Sequence, residues 1–89
     1  MAFVYMVECA DGTYYTGWTV DLAARVAAHN AGTGARYTRS RRPVRLVYWE
    51  RAADMSSALR REAALRRMSH ADKRRLAATH AANSEEGQP

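Results

Sequence analysis

Two β-prone runs on either side of Asp11-Gly12 constrain this chain more than any other feature. Residues 2–9 and 13–18 are rich in aromatic and β-branched side chains, and Asp-Gly supplies the turn chemistry of an antiparallel hairpin. Tyr14 and Tyr15 are adjacent on the returning run and Tyr5 lies on the incoming one. Neighbouring strand residues point to opposite faces, so only one of the adjacent pair can share a face with Tyr5. Loop length decides which. A two-residue loop, Asp11-Gly12, pairs Ala10 with Thr13 and puts Tyr14 beside Tyr5. A three-residue loop, Ala10-Asp11-Gly12, pairs Cys9 with Thr13, Val7 with Tyr15 and Tyr5 with Gly17, so Tyr15 takes that face. The second register uses Gly12 at the left-handed position common in such loops and leaves open space at Gly17. Turn chemistry alone keeps both registers open.

Beyond the hairpin, Thr19 or Asp21 can cap a helix in which Leu22 and Val26 lie one turn apart, and Asn30 and Gly32 provide its stop. Residues 33–43 have no apolar period and are strongly basic, which predicts an exposed loop leading to a strand over 44–50. Asp54 is placed to cap a second helix with Met55, Ala58, Leu59 and Leu65 on one stripe. Ser69, with an acid three residues on, repeats the capping logic for a third helix that frays near Asn83. Residues 83–89 read as a disordered tail. The order β-β-α-β-α-α over residues 1–82 predicts one α+β domain, a small three-stranded antiparallel sheet flanked by helices.

Charge narrows the partner. The net charge is +5, yet no acid occurs between Leu22 and Trp49, a stretch holding Arg25, Arg36, Arg39, Arg41, Arg42 and Arg45. A second basic cluster runs through Arg60, Arg61, Arg66, Arg67, Lys73, Arg74 and Arg75. A polyanion, most simply nucleic acid, is the natural partner. The single Cys9 cannot form an internal disulfide, no uncharged apolar run approaches the ~18 residues of a membrane span, and the first ten residues lack a basic leader. A cytoplasmic setting without a membrane partner is expected.

Three groups could carry chemistry besides the tyrosines. Arg25 and His29 are four apart and share one helix face at the edge of the apolar stripe. Glu62 has Met55, Ala58, Leu59 and Leu65 as its helical neighbours, which sets a carboxylate within the apolar stripe. A buried lone carboxylate costs roughly several kcal/mol unless something neutralises it. An ion pair with Arg66, one turn on, is one solution; a cation such as Mg²⁺, completed by water and substrate phosphate, is the other. His29, His70 and His80 share no close ligand spacing, and one cysteine excludes a multi-cysteine zinc site.

Taken in order, VYMVECADGTYYTGWTVDLAARVAAHN, GARYTRSRRPVRLVYWE and ALRREAALRRM resemble the small stand-alone bacterial members of the GIY-YIG nuclease superfamily over residues 2–76. Phe3-Val4-Tyr5 stands where the family has Gly-Ile-Tyr, and Tyr15-Thr16-Gly17 where it has Tyr-Ile-Gly; both tyrosines and the second glycine are kept. The resemblance implies an active site of Tyr5, Tyr15, Arg25, His29 and Glu62, with Gly12 and Gly17 structural, and it favours the three-residue loop. Tyr14 is then expected to pack on the other face. In family terms Glu62 holds one divalent ion, Mg²⁺ or Mn²⁺, and Arg25 neutralises transition-state charge. A motif tyrosine takes the proton of the attacking water, with Tyr5 and His29 as contenders for assisting. Arg36, Tyr37, Arg39, Arg41, Arg42, Arg66 and Lys73 are the expected nucleic-acid contacts. The function implied is a divalent-metal-dependent endonuclease on DNA, directed by structure rather than sequence, in repair or recombination, with a protein partner available for targeting. A non-catalytic nucleic-acid-binding module on the same fold is the rival reading.

Overall fold

In the computed structural model, which describes residues 1–86, β1 (Ala2–Glu8) and β2 (Tyr14–Thr19) form the hairpin with the three-residue loop. Cys9 N–H donates to Thr13 O at 2.8 Å, Gly12 N–H to Cys9 O at 2.9 Å, and Gly12 is left-handed at φ 84°. The ladder pairs Tyr5 with Gly17 and Val7 with Tyr15. A third strand, β3 (Arg45–Ala52), joins the opposite side of β1, giving an antiparallel sheet of order β2-β1-β3 with an irregularity between Met6 and Val7. Strand β3 runs two residues past the expected end at Glu50. Val44 precedes it, tied to the Asn30 side chain by bonds of 2.7 and 2.9 Å.

Helix α1 (Leu22–Ala31) begins at Asp21, whose carboxylate accepts from Ala24 N–H at 3.0 Å, and ends at left-handed Gly32. The basic segment after it is not all open loop. Residues Arg36–Arg39 form a single helical turn, α2, with Thr38 fully buried. One turn carries no apolar period, so only its tertiary contacts reveal it. Helix α3 (Met55–Arg66) is capped by Asp54, which accepts from Ser57 N–H at 2.8 Å. Helix α4 (His70–Glu86) is capped by Ser69, whose hydroxyl accepts from Asp72 N–H at 3.1 Å. It continues past Asn83 to Glu86; residues 87–89 of the expected tail lie outside the described residues. No helix among the described residues is long and apolar enough to cross a membrane.

Strand β1 is central and covered on both faces. Tyr5, Val7, Cys9 and Val44 pack with Leu22 and Val26 of α1, while Val4, Ala58 and Leu65 pack with Trp18, Met68 and Leu76 on the α3 and α4 side. Helix α3 is rotated from the expected stripe: Ala58 and Leu65 are buried, but Met55 is 56% and Leu59 45% exposed. The small Ala58 at the contact lets α3 approach the sheet closely. At 3.6 residues per turn, facing Ala58 and Leu65 inward throws Met55 and Leu59 onto one flank.

Candidate active site

The hairpin register decides the centre of the site. Tyr5 extends its ring over Gly17, where a Cβ would lie 2.6 Å from Tyr5 Oη, so only glycine fits opposite this phenol. Tyr5 Oη lies 2.7 Å from His29 Nε2, and Arg25 Nε donates to the same oxygen at 3.4 Å. Helix α1 therefore brings two polar side chains, one turn apart, onto the buried phenol. The Tyr15 ring meets His29 edge-on at 5.3 Å and stacks on Tyr37 of α2 at 6.0 Å. Tyr14 goes to the other face, against His70 at 5.0 Å.

Tyr5 is 1% exposed and His29 0%, so this pair forms the floor of the site. Burial pushes the Tyr5 phenol above its ordinary range; Arg25 opposes this, and Tyr15 and Glu62 add to it. Burial, and then the Arg25 charge, push His29 below its ordinary value, so its imidazole is neutral near pH 7. Hydrogen bonding to Tyr5 raises the Arg25 pKa further, and its guanidinium stays charged beside both phenols. Tyr15 and Arg25 are half-buried and reach the surface that the floor lacks.

Glu62 approaches from the α3 side. Its side chain is 15% exposed, Oε2 accepts from Arg66 Nη2 at 3.3 Å, and the same Nη2 lies 3.4 Å from Thr16 O on the outer border of β2. The ion pair anticipated in the sequence is formed, and it is long. Beside it opens a cavity of about 300 Å³ lined by Tyr14, Tyr15, Thr16, Tyr37, Arg66 and Lys73. Two cations and three phenols make this a surface suited to an anionic, aromatic ligand. Among the described residues no three His, Cys, Asp or Glu side chains converge, so the donor set is one carboxylate next to cationic groups. That set fits a hard ion such as Mg²⁺, which keeps its waters and shares substrate phosphate, and does not fit a zinc ion with four protein ligands.

The other basic residues differ in how free they are. Arg36 and Arg39 are exposed on α2. The Arg41 guanidinium covers the Tyr37 ring at 3.9 Å and binds Asp11 at 3.1 Å and Tyr37 O at 2.8 Å. Arg42 donates to Arg39 O at 2.9 Å and Asn30 O at 3.3 Å, clamping the ends of α1 and α2 over Gly32. Sequence reasoning took Gly34, Ala35 and Thr38 only as part of a stretch that resembles the family and gave none of them a role. Thr38 Oγ1 lies 2.8 Å from His29 Nδ1, Ala35 N–H approaches the same nitrogen at 3.3 Å, and a Cβ on Gly34 would sit 2.5 Å from it. The segment GARYT carried no pattern that marked these contacts; only the fold sets it against the histidine.

Comparison with known proteins agrees with this fold. The model of the GIY-YIG catalytic domain matches residues 1–76. A UPF0213 protein of Halobacterium salinarum is 53% identical over 76 residues, covering 85% of this chain and 99% of its own. One from Staphylococcus haemolyticus is 47% identical over 74 residues, covering 83% and 90%. The solution structure of a UPF0213 protein from Bacillus halodurans is 39% identical with a TM-score of 0.55, covering 89% of this chain and 85% of that one. A solution structure of protein EF2693 from E. faecalis is 34% identical with a TM-score of 0.57, covering 86% and 82%.

Proposed function

Because the chain belongs to the GIY-YIG family, we propose that it is an endonuclease that hydrolyses phosphodiester bonds in DNA, with residues 1–82 as its nuclease domain. The observation that supports this reading is a buried Tyr5–His29 floor with Arg25 on its phenol and Tyr15 against its imidazole, next to a cleft edged by Lys73 and by Arg66, the partner of Glu62. Phosphodiester hydrolysis needs a deprotonated water aimed in line, neutralised non-bridging oxygens and a stabilised leaving oxygen. Arg25, held through Nε by Tyr5, turns its remaining N–H groups to the phosphate. Tyr15 lines the cleft, which supports it as the motif tyrosine that takes the proton of the water. Tyr5 and His29 act from beneath by fixing Arg25. Glu62 would hold one Mg²⁺ or Mn²⁺ as Arg66 yields its place. When bound, that ion supplies Lewis-acid stabilisation of the phosphate and the leaving oxygen.

Lys73 and Arg66 line the cleft and Arg36 and Arg39 are exposed on the turn that supplies Tyr37 to it, charge that suits backbone phosphates more than base edges. Recognition by nucleic-acid structure, as repair or recombination demands, follows from that. The test is a panel of single-stranded, duplex and branched DNA with Mg²⁺ and with Mn²⁺. Glu62→Ala and Arg25→Ala should each abolish cleavage while the thermal melt stays cooperative, and retained cutting in both would overturn the site. Salt-sensitive binding with no turnover under either ion would make the chain a binding module instead.

A further inference from the structure

Inward of Arg25 the site continues through groups closed to solvent. Both ring nitrogens of His29 are engaged, Nε2 with Tyr5 Oη at 2.7 Å and Nδ1 with Thr38 Oγ1 at 2.8 Å. A neutral imidazole carries one ring proton, and its place decides the direction of every bond in the row. With the proton on Nδ1, that N–H donates to Thr38 Oγ1, the Thr38 hydroxyl donates to Ala35 O at 3.0 Å, and Nε2 accepts the Tyr5 O–H. Tyr5 Oη is then left to accept from Arg25. With the proton on Nε2, Nδ1 accepts from Ala35 N–H at 3.3 Å, and Tyr5 Oη faces N–H groups of both His29 and Arg25. The phenol hydrogen, on a side chain 1% exposed, then has no acceptor among the described residues. A buried donor without a partner costs about 1–3 kcal/mol. Ala35 is half-buried and its N–H contact is long, so losing that bond costs less than losing the phenol's acceptor.

We propose that Thr38 is a positioning residue: its hydroxyl, anchored on Ala35 O, holds His29 in the Nδ1–H tautomer, so that Tyr5 donates to His29 and offers its lone pairs to Arg25. The single turn α2, whose end residues Arg36 and Arg39 face solvent, is thereby tied through three side chains to the Arg25 guanidinium. Gly34 lets that segment close on the ring. The consequence for cleavage rests on the nuclease reading; the consequence for the tautomer does not.

The experiment reads the ring ¹⁵N shifts of His29 by NMR near neutral pH in the native chain, Thr38→Val and Thr38→Ser, alongside steady-state DNA cleavage. The native chain should show protonated Nδ1. Thr38→Val, which keeps shape and loses the hydroxyl, should move the proton to Nε2 and lower kcat roughly 10–100-fold with KM little changed, the range for loss of a group supporting an active site. Thr38→Ser should restore both. Protonated Nε2 in the native chain overturns the proposal without any variant, which covers the case of a valine variant that does not fold. An unmoved tautomer, or a moved tautomer with native kcat, in Thr38→Val also overturns it. If the native chain cuts no DNA, the nuclease reading falls and the ¹⁵N shifts still decide whether Thr38 sets the tautomer.

Discussion

Gly17→Ala tests the packing on which the site stands. The new Cβ would lie 2.6 Å from Tyr5 Oη and 2.9 Å from Cζ, whereas ordinary contact starts near 3.4 Å, so the phenol must retreat by about 0.8 Å. It cannot do so freely, because Oη is held 2.7 Å from His29 in a fully buried setting. Overpacking of this kind costs about 1–3 kcal/mol and weakening a buried hydrogen bond about 1 more, while alanine recovers roughly 0.5–1 over glycine in a strand. The net destabilisation is about 2 kcal/mol, a fall in Tm of roughly 8–16 °C for a domain this small. Thermal and urea unfolding followed by circular dichroism measure it. Tyr5→Phe removes the closest atom, so in that background Gly17→Ala should cost at least ~1 kcal/mol less, a coupling that a double-mutant cycle reads directly. Gly12→Ala is the contrast. Nothing lies within 4 Å of its Cβ position, but φ is 84°, so its cost of about 1–2 kcal/mol is backbone strain and is indifferent to Tyr5→Phe. A Gly17→Ala protein within ~0.5 kcal/mol of the parent, or one uncoupled from Tyr5, would refute the reasoning.

His29 has a depressed native pKa, chiefly from burial, against 6.5 in the ordinary state. The unfolded chain therefore binds a proton that the native one does not, and stability is fully present above about pH 6.5 and is lost as pH falls through the native value. His29→Gln should remove that part of the slope in urea midpoints taken from pH 4 to 8, and an unchanged slope would count against a buried neutral ring. Arg66→Met frees Glu62 from its 3.3 Å partner, so the Mg²⁺ concentration for half-maximal cleavage should fall by up to roughly 5-fold while KM for DNA rises. A higher Mg²⁺ requirement would contradict the competition. Arg36→Ala and Lys73→Ala should each lower the slope of log Kd against log salt by about 0.7–0.9 in anisotropy titrations, and no change would remove that residue from the interface.

The sequence was most informative where local chemistry and pairing geometry agree. Asp21, Asp54 and Ser69 cap the three long helices as their side chains anticipate. Residues 2–18 narrowed the hairpin to two registers, and the Tyr5–Gly17 pair stands in the one that a three-residue loop allows. Rotation of α3 was not legible, because a stripe centred on Ala58 gives no sign of how closely the helix approaches the sheet; the same rotation leaves Met55 and Leu59 outside and Glu62 only partly covered. Thr38 was invisible for a different reason. A polar residue within a basic run is indistinguishable from loop until a histidine nine positions earlier is folded against it.

Strand β2 is one border of the sheet, and it turns the main-chain groups of Thr16 outward, where Arg66 takes the carbonyl. An open border is where a second chain would add by strand pairing, and a cation parked on it is a guard against such growth. The guard is also the Glu62 partner, at 3.3 Å. One cation thus serves two neighbours, the bare carbonyl of the border strand and the carboxylate of α3.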